Sequence, residues 1–207
     1  MNALVFLDFA SVFVFALTGA LVASRAQLDP VGFAFVACLT AVGGGTMRDL
    51  LLGRDPVFWV AQPSYILVAV TAALLVFFTA HLFESRYRLL LWLDTVALAV
   101  AVAAGTGVAL DLGHHPVIVV LMGITTGTMG GLLRDVVCNE VPLVLKQGEI
   151  YVTAAFAGAS SAVIAVALGL SGLAVLALCA AVTWALRAGS LQFGWRLPVY
   201  KGRPPRG

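Results

Sequence analysis

The chain has 207 residues, of which 61% are apolar and only 11% charged, with a mean hydropathy of +1.04 and a net charge of +2. So few polar side chains cannot cover the exterior of a soluble domain of this size, and a net charge so small gives no electrostatic footprint for nucleic acid. The composition is that of a multi-pass membrane protein whose chief partner is the lipid bilayer.

Seven apolar segments follow one another with short connections, each near the roughly 20 residues that a spanning helix needs. They are predicted at 3–24, 31–52, 64–83, 89–110, 117–138, 150–168 and 171–187. The first has no basic start and contains Asp8, so it reads as a retained span and not as a signal peptide. Pro30 and Pro116 stand just before the second and fifth segments, where a helix tolerates the missing N–H. Pro56 and Pro142 follow the same two segments and stop them. Beyond Arg187, Gly194, Pro198, Gly202, Pro204 and Pro205 lie among four basic residues and predict a flexible tail.

The Lys and Arg residues set the orientation. With the N-terminus outside, ten of the twelve fall on the cytoplasmic side, and only Arg48 and Arg54 fall outside. The positive-inside rule therefore predicts an outer N-terminus and a cytoplasmic C-terminus in the cell inner (plasma) membrane.

The chain also repeats itself at an offset of 86 residues without a gap. Asp8 falls on Asp94, Gly19 on Gly105, Pro30 on Pro116, Gly44-Gly45 on Gly130-Gly131, Arg48-Asp49 on Arg134-Asp135, Pro56 on Pro142 and Tyr65 on Tyr151. Each copy holds three spans, an odd number, so the second copy enters the membrane inverted. The expected fold is an all-α membrane protein of seven transmembrane helices. It comprises a first three-helix repeat at 1–85, an inverted one at 87–171, and a seventh helix with a basic tail at 172–207.

The run Gly43-Gly44-Gly45-Thr46-Met47-Arg48-Asp49 and its partner Gly130-Gly131-Leu132-Leu133-Arg134-Asp135 carry the main chemical signal. Each glycine in a helix interior costs about 1 kcal/mol relative to alanine. A break at the glycines would free backbone carbonyls at membrane depth, where only protein or a water-filled cavity tolerates them. This predicts kinked, pore-lining helices. The plainer reading is close helix packing, which Gly123, Gly127 and Gly131 at four-residue spacing also suggest.

Charges inside a membrane default to a functional reading. Asp8 can reach Arg48 and Asp94 can reach Arg134, one ion pair at each mouth. Otherwise the arginines only mark helix ends and snorkel to headgroups. Thr46 and Thr126, with Ser11, Thr18, Thr40, Thr125 and Thr128, can add hydroxyls to a polar path or bond within their own helices. Tyr65 and Tyr151 read as belt tyrosines at the interface, and His114 and His115 as solvated loop residues.

No Walker motif, HExxH or GxSxG occurs, Gly105-Thr106-Gly107 is not completed to GxGxxG, and no nucleophile–base pair stands out. Neither catalysis nor a cofactor is expected. Cys38, Cys138 and Cys179 stand alone in apolar runs without a CxxC, so no metal site or disulfide framework is indicated.

With its doubled GG-x-x-R-D motif, three-plus-three repeat and seventh span, the chain resembles the prokaryotic trimeric intracellular cation channels from Leu4 to Arg187. That family has also been labelled glycine transporters or uncharacterised membrane proteins. The resemblance implies a homotrimer with an hourglass pore in each protomer for monovalent cations, chiefly potassium, lined by kinked second and fifth spans. Those roles fall here on Gly43, Gly44, Gly45, Arg48, Asp49, Gly130, Gly131, Arg134 and Asp135. Animal members carry a Lys-Glu-Val phosphoinositide motif where this chain has its glycines, so no phosphoinositide partner is expected. Two alternatives stand beside the potassium- or sodium-permeable channel. One is a secondary transporter for glycine or another small zwitterion, with an arginine on the carboxylate and an aspartate on the ammonium. The other is a tightly packed scaffold.

Overall fold

A computed structural model describes residues 3–82 and 86–198. The predicted end of the third span at Phe83, and Gly202, Pro204, Pro205 and the tail's Lys201, Arg203 and Arg206, lie outside the described residues. The first copy forms α1 (Ala3–Arg25), α2 (Pro30–Leu51), the short α3 (Phe58–Ala61) and α4 (Ser64–Thr79). The second forms α5 (Arg86–Asp111), α6 (Pro116–Val137) and α7 (Val152–Ala167), and α8 (Leu173–Phe193) follows. Among the described residues six helices are long and apolar enough to cross a membrane, α4 with the 3-10 turn Ala80–Leu82 that extends it, and α7 is a shorter apolar helix of 16 residues.

The two copies match in detail. α2 and α6 each have 22 residues and a proline at the first helical position. Asp29 caps α2 by accepting from the Gly32 N–H at 2.7 Å, and the His115 Nδ1 accepts from the Val117 N–H at 3.3 Å at the start of α6. At the far ends, the Leu52 and Cys138 N–H groups each donate at 3.0 Å to the carbonyls of Arg48 and Arg134.

The copies run in opposite directions. Leu4, at the start of α1, packs where a side chain on Gly107, near the end of α5, would sit. Thr18, toward the end of α1, meets Arg134 at the end of α6. The molecule therefore has a first end, with the start of α1 and the ends of α2 and α5, and a second end, with the start of α5 and the ends of α1, α6 and α8. α5 is the most enclosed span, lined by small residues such as Ala97, Ala101, Ala104 and Gly105. The outer faces expose large apolar side chains, among them Val31, Leu67, Phe78 and Ile164, as lipid contact requires.

Two expectations need correction here. α2 and α6 run without interruption through their glycines, so the predicted breaks do not occur. The close approach of a neighbouring helix accounts for the glycines instead. The last span also does not end at Arg187. It continues to Phe193, and residues 195–198 fold back onto the bundle: the Leu197 N–H donates to the Gly148 carbonyl at 2.9 Å, and Arg196 forms a β-bridge with Glu149.

Candidate functional site: two charge clusters on a glycine crossing

α2 and α6 cross antiparallel at their glycines. A Cβ on Gly44 would collide with the Thr126 carbonyl, and a Cβ on Gly130 with the Thr40 carbonyl. Thr40 and Thr126 are themselves equivalent under the repeat, so this is one contact used twice. Only glycine lets backbones approach so closely. The other two glycines of the triplet face different neighbours: Gly43 faces Leu133, and Gly45 lies under the ring of Phe58. Gly123 and Gly127 pack on α5, at Thr106 and Val102, so this small-residue face is used within the protomer.

Behind the crossing lies one charge cluster at each end. At the first end the Arg48 Nη1 donates to Asp8 Oδ1 at 3.0 Å and its Nε to Asp49 Oδ1 at 2.8 Å. Asp49 also receives Arg54 Nη1 and the Phe58 N–H, each at 2.8 Å. At the second end the Arg134 Nη1 donates to Asp94 Oδ1 at 2.9 Å and its Nε to Asp135 Oδ1 at 2.7 Å. Asp135 Oδ2 then accepts the Leu143 N–H at 2.9 Å. Arg48 and Arg134 both have 0% exposure, so neither snorkels to a headgroup. In each, Nη2 is buried without a hydrogen-bond partner among the described residues. Each bundle end thus holds a closed charge cluster whose arginine keeps one guanidinium nitrogen, with its two N–H groups, without a partner among the described residues.

The clusters differ in what supports them. At the second end Arg134 Nη1 also reaches the Thr18 hydroxyl at 2.9 Å, and the Tyr151 hydroxyl donates to Asp94 Oδ2 at 2.8 Å. Tyr65, the repeat counterpart of Tyr151, is held by rings, stacked on Phe9 with centroids 4.1 Å apart and edge-on to Phe58 at 4.8 Å. Both tyrosines are buried, which corrects their reading as interfacial belts. Arg187, read from the sequence as a helix-end charge, is also fully buried, 2.8 Å from Glu149 and 5.0 Å above the Tyr151 ring. Its position beyond the repeat gave no symmetric partner to reveal it.

The threonine hydroxyls of the crossing bond mainly within their own helices. Thr40 donates to Val36 at 2.6 Å, Thr126 to Met122 at 2.7 Å, and Thr46 to Val42 at 2.7 Å while accepting the Trp59 indole N–H at 2.9 Å. Gly131 borders the second cluster, with the Tyr151 hydroxyl, Arg134 Nη2 and Asp94 Oδ1 each 3.5–3.7 Å from where its Cβ would stand. Among the described residues no group of His, Cys, Asp and Glu side chains is arranged to hold a metal ion.

The fold and the site define a multi-pass, all-α membrane bundle with an antiparallel glycine crossing and a charge cluster at each end. A family model described as "Glycine transporter" matches this chain twice, over residues 5–81 and 91–167, again at the 86-residue offset. The chain is 36% identical over 199 residues to a UPF0126 membrane protein of Vibrio cholerae, covering 94% of this chain and 81% of that one. It is 42% identical over 156 residues to the UPF0126 inner membrane protein YadS of Escherichia coli K12, covering 73% of each. Its fold matches the crystal structure of a TRIC trimeric intracellular cation channel orthologue from Rhodobacter sphaeroides with a TM-score of 0.90 and 44% identity, over 94% of this chain and all of that one. The chain belongs to this family, the UPF0126 membrane proteins and prokaryotic TRIC channels that the glycine-transporter model describes.

Proposed function

We propose that this protein is a monovalent-cation channel, permeable to potassium, with one path in each protomer of a homotrimer. The observation that carries this reading is the reciprocal contact of Gly44 with Thr126 and Gly130 with Thr40 midway between two sealed charge clusters. In this conformation the path is shut. Parting α2 from α6 would uncover the Thr40 and Thr126 carbonyls, whose free lone pairs can replace part of a cation's hydration shell. The clusters at both ends must open as well, since Arg48 and Arg134 would otherwise repel an entering cation. The similarity to a TRIC channel orthologue supports the same reading.

The N-terminus would lie outside. With the buried Arg48, Arg134 and Arg187 set aside, Arg25, Arg86, Arg88, Lys146 and Arg196 lie at the second end against Arg54 at the first, which supports a cytoplasmic second end. The second reading, a carrier for glycine or another small zwitterion, is favoured by the description of the matching family model and by the arginine–aspartate pairs. Recording from purified protein in planar bilayers separates the two. Discrete unitary potassium currents support the channel, whereas slow, saturable, substrate-coupled uptake without unitary openings overturns it. Crosslinking in membranes should end at trimers; a ladder that ends at dimers would refute the assembly.

A further inference from the structure

The second charge cluster has a support that the repeat does not provide to the first. α8 lies outside the repeat and brings Arg187 over the Tyr151 ring, 5.0 Å from its centroid. The Tyr151 hydroxyl holds Asp94, and Asp94 holds Arg134, so Arg187 is two contacts away from the closed ion pair.

Arg187 is itself weakly secured. Its Nη2 lies 2.8 Å from Glu149 Oε2, yet none of its three guanidinium nitrogens makes a well-directed hydrogen bond among the described residues. The contact is a close charge pair approached off the line of the N–H, reinforced by the aromatic face. A fully buried guanidinium with one carboxylate partner depends strongly on that partner. Glu149 is only partly buried, with 28% of its side chain exposed.

The position of Glu149 is fixed by residues 195–197. Its backbone bridges to Arg196, and the adjoining Gly148 carbonyl accepts the Leu197 N–H. The Ser190 hydroxyl donates to the Trp195 carbonyl at 3.0 Å and accepts the Ile150 N–H at 3.4 Å. The Trp195 ring fills the space over Gly189, where a Cβ would collide with it. The segment 148–151, which carries both Glu149 and Tyr151, is thus clamped between α8 and residues 194–198.

We propose that Arg187 and Glu149 form a latch that holds Tyr151 on Asp94 and keeps the second cluster closed, so that this end is the regulated gate of the path. Arg187 is a positioning residue and does not line the path. The inference rests on the channel reading given above. Its trigger is any event at the second face that draws residues 194–198 away from 148–149.

The test compares the parent protein with Glu149→Gln, Arg187→Gln and Arg187→Lys in planar bilayers with symmetric potassium chloride. Glu149→Gln and Arg187→Gln should raise open probability about tenfold, the size of an ordinary coupling between sites. Unitary current should stay at the parent value. Arg187→Lys, which keeps the charge without the planar stack, should fall between. Parent-like open probability in Glu149→Gln, whose partly exposed site tolerates the change if Arg187→Gln does not fold, would overturn the latch. So would an altered unitary current, which would place Arg187 in the path. A parent that conducts no ions defeats the channel reading, and the latch is then judged by chemistry. In a background without Cys38, Cys138 and Cys179, a cysteine at Thr18 beside Arg134 should react with a small methanethiosulfonate faster when Glu149→Gln is present. Equal rates would refute the latch.

Discussion

Gly44 lies against the carbonyl of Thr126, and the 86-residue offset turns that contact into the one between Gly130 and Thr40. The crossing of α2 and α6 is therefore built from a single pairing applied in both directions, and one antiparallel axis passes between Val42 and Thr128. A side chain at either glycine must displace backbone, which cannot move aside as a flexible side chain would. The two helices are held at a separation that only glycine permits.

Alanine at Gly44 or Gly130 should therefore destabilise the protein by about 1–3 kcal/mol through overpacking, offset in part by about 1 kcal/mol of improved helix propensity. Gly131→Ala meets no atom closer than 3.5 Å and should be neutral or slightly stabilising. Thermal unfolding of the purified variants in detergent tests the contrast. An equal shift at all three positions would remove the crossing as the reason for the glycines.

The two arginines of the charge clusters, Arg48 and Arg134, should differ in how much stability they carry. Arg134→Ala strands Asp94, with 1% of its side chain exposed, and Asp135, with 3%, and should cost about 3–5 kcal/mol. Arg48→Ala leaves Asp49 its Arg54 partner, and Asp8 is 14% exposed, so its cost should be clearly smaller. Denaturant titration of both variants checks this. A larger loss for Arg48→Ala would reverse the ranking of the clusters.

The bundle and the two ion pairs were legible in the sequence because polar and helix-stopping residues recur at one spacing in an otherwise apolar chain. Asp8 with Arg48 and Asp94 with Arg134 follow once each copy is read as a set of spans. The glycines were visible but ambiguous: a helix break and a close crossing demand the same residue, and only the neighbour at Thr126 or Thr40 decides. Tyr65, Tyr151 and Arg187 mislead because a tyrosine or arginine near a span end has the same local sequence whether it faces headgroups or a partner inside the bundle. The return of residues 194–198 onto Gly148 and Glu149 depends on tertiary contacts that a Gly/Pro-containing segment does not announce.

Orientation can be read directly. A cysteine at His114, in the loop between α5 and α6, should react with a membrane-impermeant thiol reagent added to intact cells. One at Arg88 should react only after the membrane is opened. The excess at the second end of basic residues that are not buried motivates this. Labelling with the opposite sidedness would exchange the outer and inner clusters.

The last expectation concerns the two tyrosines. Tyr151→Phe keeps the ring over which Arg187 lies but removes the hydroxyl that donates to Asp94 Oδ2 at 2.8 Å. A buried carboxylate oxygen then loses a directed donor, at a cost of about 1–3 kcal/mol. The closed state bears that loss, because the hydroxyl acts in the closed cluster. Tyr65→Phe keeps the stack on Phe9 and the edge contact with Phe58, which account for the packing of Tyr65. Tyr151→Phe should therefore lower thermal stability and lengthen openings in single-channel records, while Tyr65→Phe should leave both near the parent values. If the two substitutions act alike, the ends are functionally equivalent and the asymmetry brought by α8 has no consequence for gating.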